Sequence, residues 1–395
     1  MGFRKRYLLV LTAMIGAALA ASPVAASGQA SPTLVTSGLD APRGVAFFKG
    51  HLMVAESGRG GPNCSTSPAP PSFGAFCFGR TGRISTVNLA TQGHTPFVDK
   101  LFSLLEFVGP NPDSLGLGGL SVRGGKLFAI QGVYPQLFND SACAPGDSGC
   151  AADLAAARQQ AGALLSVSPN GSFRVVANVG AHDYDFTANI PNQEHDSNPF
   201  GVLAANGGAY VADAGSNTLN FVSNGGRISI LHYFPNRYAA FPSDEVPTCV
   251  ARTGDGLWVA TLSGNLYKVR GTSAIQIQNA ELKHVTGCAS DGEGNVYFVN
   301  MWTTPSFPAP GNGNIVKFNT EERTNAVIAS GLNFPNMDTI GPDGNLYFSA
   351  DSVCPSEGIA PLCPSGGTVW KLALAHEEDH DDNGGGGDNG NGGGD

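Results

Sequence analysis

The stretch DSNPFGVLAANGGAYVADAGSN, Asp196 to Asn217, decides the fold. Two short apolar runs flank the turn Ala205-Asn206-Gly207-Gly208, and Asp and Asn stand at both outer ends. Alternating apolar residues around a glycine turn are the signature of a tight β-hairpin. The unit recurs as PRGVAFFKGHLMVAES from Pro42, LGGLSVRGGKLFAIQG from Leu117 and PTCVARTGDGLWVATL from Pro247, then as TGCASDGEGNVYFVNM from Thr286 and NMDTIGPDGNLYFSAD from Asn336. That makes six copies, and a repeat of this kind governs the whole architecture rather than one element.

After most hairpins comes a third alternating run, such as TLNFVSN, GNLYKVR or GNIVKFN, and then usually a fourth, such as RISILHY or NAVIASGL. Four-stranded units repeated six times predict an all-β, six-bladed β-propeller over residues 33–374. A β-sandwich with added hairpins is the competing architecture, but nothing in a sandwich requires six equivalent units. The last copy stops after its third run, GTVWKLALA, whereas TLVTSGLDAP (Thr33 to Pro42) is an orphan that resembles AVIASGLNFP (Ala326 to Pro335). Residues Thr33 to Gly38 are therefore expected to supply the outer strand of the last blade. This N-terminal strand closes the ring and covers an otherwise bare sheet edge.

The flanks read differently. Arg4, Lys5 and Arg6, an apolar run from Tyr7 to Ala21, and the small residues Val24-Ala25-Ala26 have the form of a secretory signal peptide over 1–26. No later stretch has the apolar length of a spanning helix, so no membrane insertion is expected after cleavage, and the location reads as secreted or periplasmic. Residues 375–395, rich in Gly, Asp and Asn, are expected to be a disordered acidic tail. Within it Asp379, Asp381, Asn383 and Gly384 match half of an EF-hand loop, but Gly390 takes the place of the bidentate Glu. The formal net charge is −10, and without the three leader cations it is −13; seven of those negative charges lie after Ala375. The remaining body is acidic without a basic stripe, which argues against a nucleic-acid partner.

Insertions between the second and third strands (Ser57 to Gly82, Gly132 to Gly162, Thr303 to Gly313, Ser352 to Gly366) and in the crossover Gly180 to Asn198 belong on one face of the ring. Elaborated loops on a rigid scaffold are where function concentrates. Eight cysteines without a CxxC pair point to disulfides in an exported chain, though spacing alone leaves 105 connectivities open. Three pairs each fall inside one insertion: Cys64 with Cys77, Cys143 with Cys150, Cys354 with Cys363. Cys249 and Cys288 occupy one repeat position in consecutive copies and are expected to face each other across neighbouring blades.

At the end of each second strand stand Glu56, Gln131, Asp213, Thr261, Asn300 and Ala350, with Asp351 one step on. Oxygen donors converging on one axis would suit a hard cation such as calcium, whereas the same residues could form a hydrogen-bonded, metal-free rim. Around them lie Arg43, His195, Asp196, Asn198 and Asn217 as candidate ligand-binding residues, with His182, Asp183 and Asp185 on the same crossover. GDSG at Gly146 to Gly149 is similar to a serine-protease nucleophile segment, but it lies between Cys143 and Cys150 without partners in that fold's order. GxSxG, HExxH and phosphate-binding glycine loops are absent from the sequence.

On SGLDAPRGVAF, VAESGRGGPNC, DSNPFGVLA, VADAGSNTL and GPDGNLYFS, the chain from about Thr33 to Leu374 resembles the ScyD/ScyE family of secreted, NHL-like propellers associated with scytonemin biosynthesis. The resemblance implies a propeller fold and an extracytoplasmic location, and no particular reaction. Asn300 departs from the acid that relatives often carry in blade five, and the Gly/Asp tail replaces a recognisable sorting signal.

Two function classes follow. One is a monomeric, non-catalytic binding or scaffold propeller that presents its stapled face to a small molecule, glycan or protein. The other is similar to calcium-dependent lactonases and esterases, with Glu56, Asp213 and Asn300 as metal ligands and Asp351 as the base. In that second reading the three side chains must converge on the axis, and Arg43 must not fill it.

Overall fold

The computed structural model describes residues 31–65, 75–108, 111–139, 142–235, 244–304 and 309–374. The expected signal peptide over 1–26 and the expected acidic tail over 375–395, with its half EF-hand motif, lie outside the described residues.

Six antiparallel sheets follow one another around a ring, as the repeats require. Their inner strands are Pro42–Phe48, Leu117–Arg123, Pro199–Ala205, Pro247–Thr253, Val285–Ser290 and Asp338–Ile340. In blade six the N-terminal strand Thr33–Leu39 is the outermost member and pairs antiparallel with Gly367–Leu372. Thr33 lies opposite Lys371 and Leu39 opposite Gly367, so the ring closes through the two ends of the chain.

The core is divided among the blade interfaces. A sheet buries both faces only if another sheet covers each, and here one apolar cluster fills each gap between neighbours. Blades one and two meet through Phe48, Ile84, Leu120 and Leu165, and blades two and three through Ile130, Leu164 and Val211. Phe234 and Val259 join the third gap, Trp258 and Phe298 the fourth, and Tyr297 and Phe348 the fifth. The closing gap holds Val35, Leu39, Val54 and Val369. Along the axis the inner strands approach backbone to backbone. A methyl group at Gly201 would overlap the Thr248 carbonyl, and one at Gly44 would overlap the Leu120 amide nitrogen.

All four disulfides form between the expected partners, and among the described residues no cysteine is free. Cys249–Cys288 ties the inner strands of blades four and five; the other three staple insertions.

The insertions are more ordered than the sequence reading supposed. In blade one the third strand starts at Ala75, not at Gly82, and runs 13 residues to Val87. It pairs with the 15-residue strand His94–Val108, and the two continue beyond the blade as an arm. In blade two the insertion contains helix α1, Ser148–Gln160, which begins at the protease-like GDSG: Asp147 is its N-cap, accepting the Cys150 N–H at 3.0 Å. Phe78, Phe102 and Leu104 of the arm pack with Tyr134, Phe138 and Leu154 of this insertion in a second core. The crossover to blade three is helix α2, Val179–Thr187, where a loop was expected. Among the described residues no helix is long and apolar enough to cross a membrane.

Candidate functional site

The strand-end residues Glu56, Asp213 and Asn300 are fully buried, and their polar atoms are spent inside their own blades. Glu56 Oε2 accepts the Asp40 N–H at 2.7 Å and Oε1 the Ser85 hydroxyl at 2.5 Å, with Arg83 Nε 3.3 Å away. Asp213 Oδ1 accepts the N–H groups of Asn198, Gly215 and Ser216 at 2.7–3.1 Å, and Oδ2 takes the Ser197 hydroxyl at 2.5 Å. Asn300 Oδ1 accepts the Lys283 N–H at 2.9 Å, and its amide donates to Glu281 O and Asn314 Oδ1. In each case an acceptor at the end of a second strand captures a backbone donor of the incoming crossover. Thr261 Oγ1 does the related job for its own turn, accepting the Asn265 N–H at 3.1 Å.

These residues therefore do not fit a common cation. Their acceptor oxygens already hold N–H and O–H donors, and Arg83 sits beside Glu56. Buried crossover N–H groups need acceptors, and these side chains supply them, as in the metal-free, hydrogen-bonded rim that the sequence also allowed. Among the described residues no three His, Cys, Asp or Glu side chains form a metal-binding group. Asp351 has left-handed backbone, φ 50°, and Oδ2 accepts the Thr368 hydroxyl at 2.8 Å. Burial holds its carboxyl above the usual range.

At the mouth of the axis on the insertion face, Phe200 and Ala214 of blade three share an apolar cluster with Met337 of blade six and Val246. Blades three and six are opposite in the ring, so this cluster spans the axis. Arg43 lies over the Phe200 ring, 5.4 Å from its centroid, and its guanidinium bonds to Asp113 Oδ1 at 3.1 Å and Ser114 O at 2.6 Å. Arg43 and Asn198 line one small pocket of about 10 Å³ with Phe200. Asn198 Oδ1 is taken by the Val133 N–H at 3.0 Å. Asn217 is buried, left-handed at φ 59°, and holds Val246 N–H and Gln193 Oε1.

His195 and Asp196 are different, since both retain solvent access. The His195 ring stacks on Tyr184 at 3.7 Å, and Tyr184 stacks on Tyr134 at 4.2 Å. Burial pushes Asp196 up to about 7, against the Ser197 N–H and reinforced by Glu194, Glu106 and Asp244. Asp244 is raised to about 6 by burial, with the Asn217 bond opposing. Nothing in the repeat pattern marks Glu106 and Asp244, which reach this spot from the blade-one arm and the crossover to blade four.

His182 on α2 is exposed, and its Nδ1 lies 2.7 Å from Asp183 Oδ1. That hydrogen bond raises the imidazole above its ordinary range. Asp183 is fully buried, and its Oδ2 accepts from Thr218 and Asn220 at 2.6 Å and from Ser216 at 3.3 Å. The charge of Asp183, after burial, helps hold Asp213 well above the usual carboxylate range.

No protein-family model matches the chain, and no curated protein is similar to it in sequence. Among solved structures it is similar to a protein of unknown function from Bacteroides thetaiotaomicron, with 7% identity over 86% of this chain and 75% of that one, TM-score 0.52. It is also similar to the calcium-binding protein regucalcin from Agrobacterium tumefaciens (12% identity, 87% and 94% covered, TM-score 0.48). A third likeness is to a catalytically inactive virginiamycin B lyase from Staphylococcus aureus (12% identity, 87% and 99% covered, TM-score 0.45). At these identities the likeness is one of fold alone, and the fold is the six-bladed β-propeller.

Proposed function

We propose that this chain is an extracytoplasmic, monomeric binding or scaffold propeller whose insertion face receives a small molecule, glycan or protein, without catalysis. The observation that carries the reading is the internal use of Glu56, Asp213 and Asn300, with the Arg43–Phe200–Met337 plug over the axis. That leaves the face's recognition chemistry to groups such as His195 and Asp196, carried on the crossover after helix α2, whose Tyr184 packs against the apolar core of the neighbouring blade-two insertion. The leader sequence and four disulfides support secretion or periplasmic export. The ScyD/ScyE assignment is part of the same proposal and rests on the sequence motifs.

One arrangement favours a hydrolytic alternative: exposed His182, oriented by buried Asp183, has the form of a general base with its positioning carboxylate. The experiment sets the readings against each other. Purified protein is taken through a glycan array and a small-molecule thermal-shift panel, alongside lactone and ester turnover with and without calcium. Variants His195→Ala and Asp196→Asn should lose ligand, while Arg252→Ala, at the opposite ends of the strands, should not. Turnover that disappears in His182→Ala or Asp351→Asn would overturn the binding reading.

A further inference from the structure

In the strand ladders the inner-strand position opposite the residue two before each strand end is Val45, Leu120, Val202, Val250 and Cys288 in blades one to five, and Asp338 in blade six. All six line one axial cavity of about 40 Å³ beneath the Arg43–Phe200–Met337 plug. Asp338 is 8% exposed, and neither carboxylate oxygen has a hydrogen-bond partner. The backbone N–H groups of Ala289 and of Asp338 itself face it without reaching hydrogen-bond geometry. No basic side chain lines the cavity.

A carboxylate left this way is expensive unless something neutralises it. Each inner strand is the last member of its sheet, so one edge of its backbone is turned to the axis without a strand partner. The cavity therefore offers a carboxylate among peptide groups of six strands, and hard cations select oxygen ligands of that kind. A volume of about 40 Å³ holds one ion with one or two waters. The charge decides the type of ion. One carboxylate is neutralised by a monovalent cation, whereas a divalent ion would leave a buried positive charge.

We propose that Asp338 and the inner-strand backbone around it bind one alkali-metal cation, Na⁺ or K⁺, on the propeller axis. The site is distinct from Glu56, Asp213 and Asn300 and does not depend on the function proposed above. Its role is structural: the ion joins blade six to blade five, beside the Cys249–Cys288 staple, at the point where the ring is narrowest. Burial also holds the Asp338 carboxyl well above its ordinary range, so a proton competes with the cation for the same oxygens.

The test is thermal unfolding of the disulfide-intact protein at pH 8 and constant ionic strength in sodium, potassium, calcium or choline chloride. Sodium or potassium should raise Tm by roughly 1–2 °C over choline, the response expected for about 1 kcal/mol of ligand binding in a ring of this size. Asp338→Asn should abolish the difference. Equal Tm values in all four salts, or a shift that persists in Asp338→Asn, would overturn the site; a shift with calcium alone would overturn the charge argument. Should Asp338→Asn fail to fold, rubidium-soaked crystals of the unsubstituted protein decide: an anomalous peak beside Asp338 supports the proposal, and its absence refutes it.

Discussion

Removing the closing strand tests whether the ring depends on its chain ends. A chain beginning at Ala41 lacks Thr33–Leu39 and with it the apolar side chains of Val35 and Leu39, 8% and 0% exposed. Burying each contributes about 1.5–3 kcal/mol. The ladder to Gly367–Leu372 contains five paired positions, at about 1 kcal/mol per hydrogen bond. Asp40, whose N–H bonds to Glu56 and whose carboxylate pairs with Arg59 at 3.1 Å and with Arg83, is lost as well. The total is about 10 kcal/mol, comparable with the whole stability of an ordinary domain. The truncated chain is therefore expected to lose its cooperative thermal transition, or to associate through the bared edge at Thr368–Leu372. Near-UV circular dichroism and size-exclusion chromatography report both results, and a synthetic Ser31–Asp40 peptide added in trans should restore the monomer. A truncated chain with the parent's size and melting temperature would refute the closure argument.

Other substitutions probe separate parts of the ring. Gly201→Val should destabilise by about 3 kcal/mol or more, because the inner strands have no room for a Cβ there; Gly254→Ala, in open space, should leave urea midpoints unchanged. Removing the Cys64–Cys77, Cys143–Cys150 or Cys354–Cys363 bridge, with separations of 13, 7 and 9 residues, should cost about 2–3 kcal/mol each in chemical denaturation and leave the propeller folded. Cys249–Cys288 closes 39 residues and should cost about 4 kcal/mol. Asp196 and Asp244, raised to about 7 and about 6, bind protons more tightly folded than unfolded. Their stabilising contribution is thus complete below about pH 4 and lost as pH rises through 6 to 7. Asp196→Asn should flatten that slope and raise stability at pH 8 by about 1–2 kcal/mol once its solvent access is discounted; a steeper slope would contradict the assignment.

The propeller was legible because six imperfect copies average out the ambiguity of any single hairpin. The repeat register also placed Cys249 against Cys288, and it found the closing strand through the likeness of TLVTSGLDAP to AVIASGLNFP. What periodicity does not carry is direction. It put Glu56, Asp213 and Asn300 at equivalent heights, but which way each side chain turns depends on donors 15 to 17 residues earlier in the chain. Helix α1 was readable in principle from the Asp147 cap before an Ala-rich run with Leu, Arg and Gln; as an insertion between strands it read as loop. Asp338 also left a trace, since NMDTI puts an acid where the other inner strands carry Val45, Leu120, Val202, Val250 and Cys288. The reach of Glu106 toward Asp196 left none, because it depends on how far the blade-one arm extends.

The strand-end acceptors point to a constraint of this ring that bears on function. At three of the six strand ends the incoming crossover brings a backbone N–H into a buried zone without a ladder to receive it. Glu56, Asp213 and Asn300 meet that need with three different side chains, and the only shared requirement is an oxygen at the right height. An acid at this position is therefore no sign of catalysis, and exchanging Asp for Asn there need not alter activity so long as the acceptor remains. Groups that owe nothing to a crossover are better guides. His195 is held by ring stacking alone among its described contacts, and Asp196 keeps one oxygen beyond its bond to the Ser197 N–H. Recognition on this face should accordingly track the insertions, and changing the strand-end ring should change stability before it changes binding.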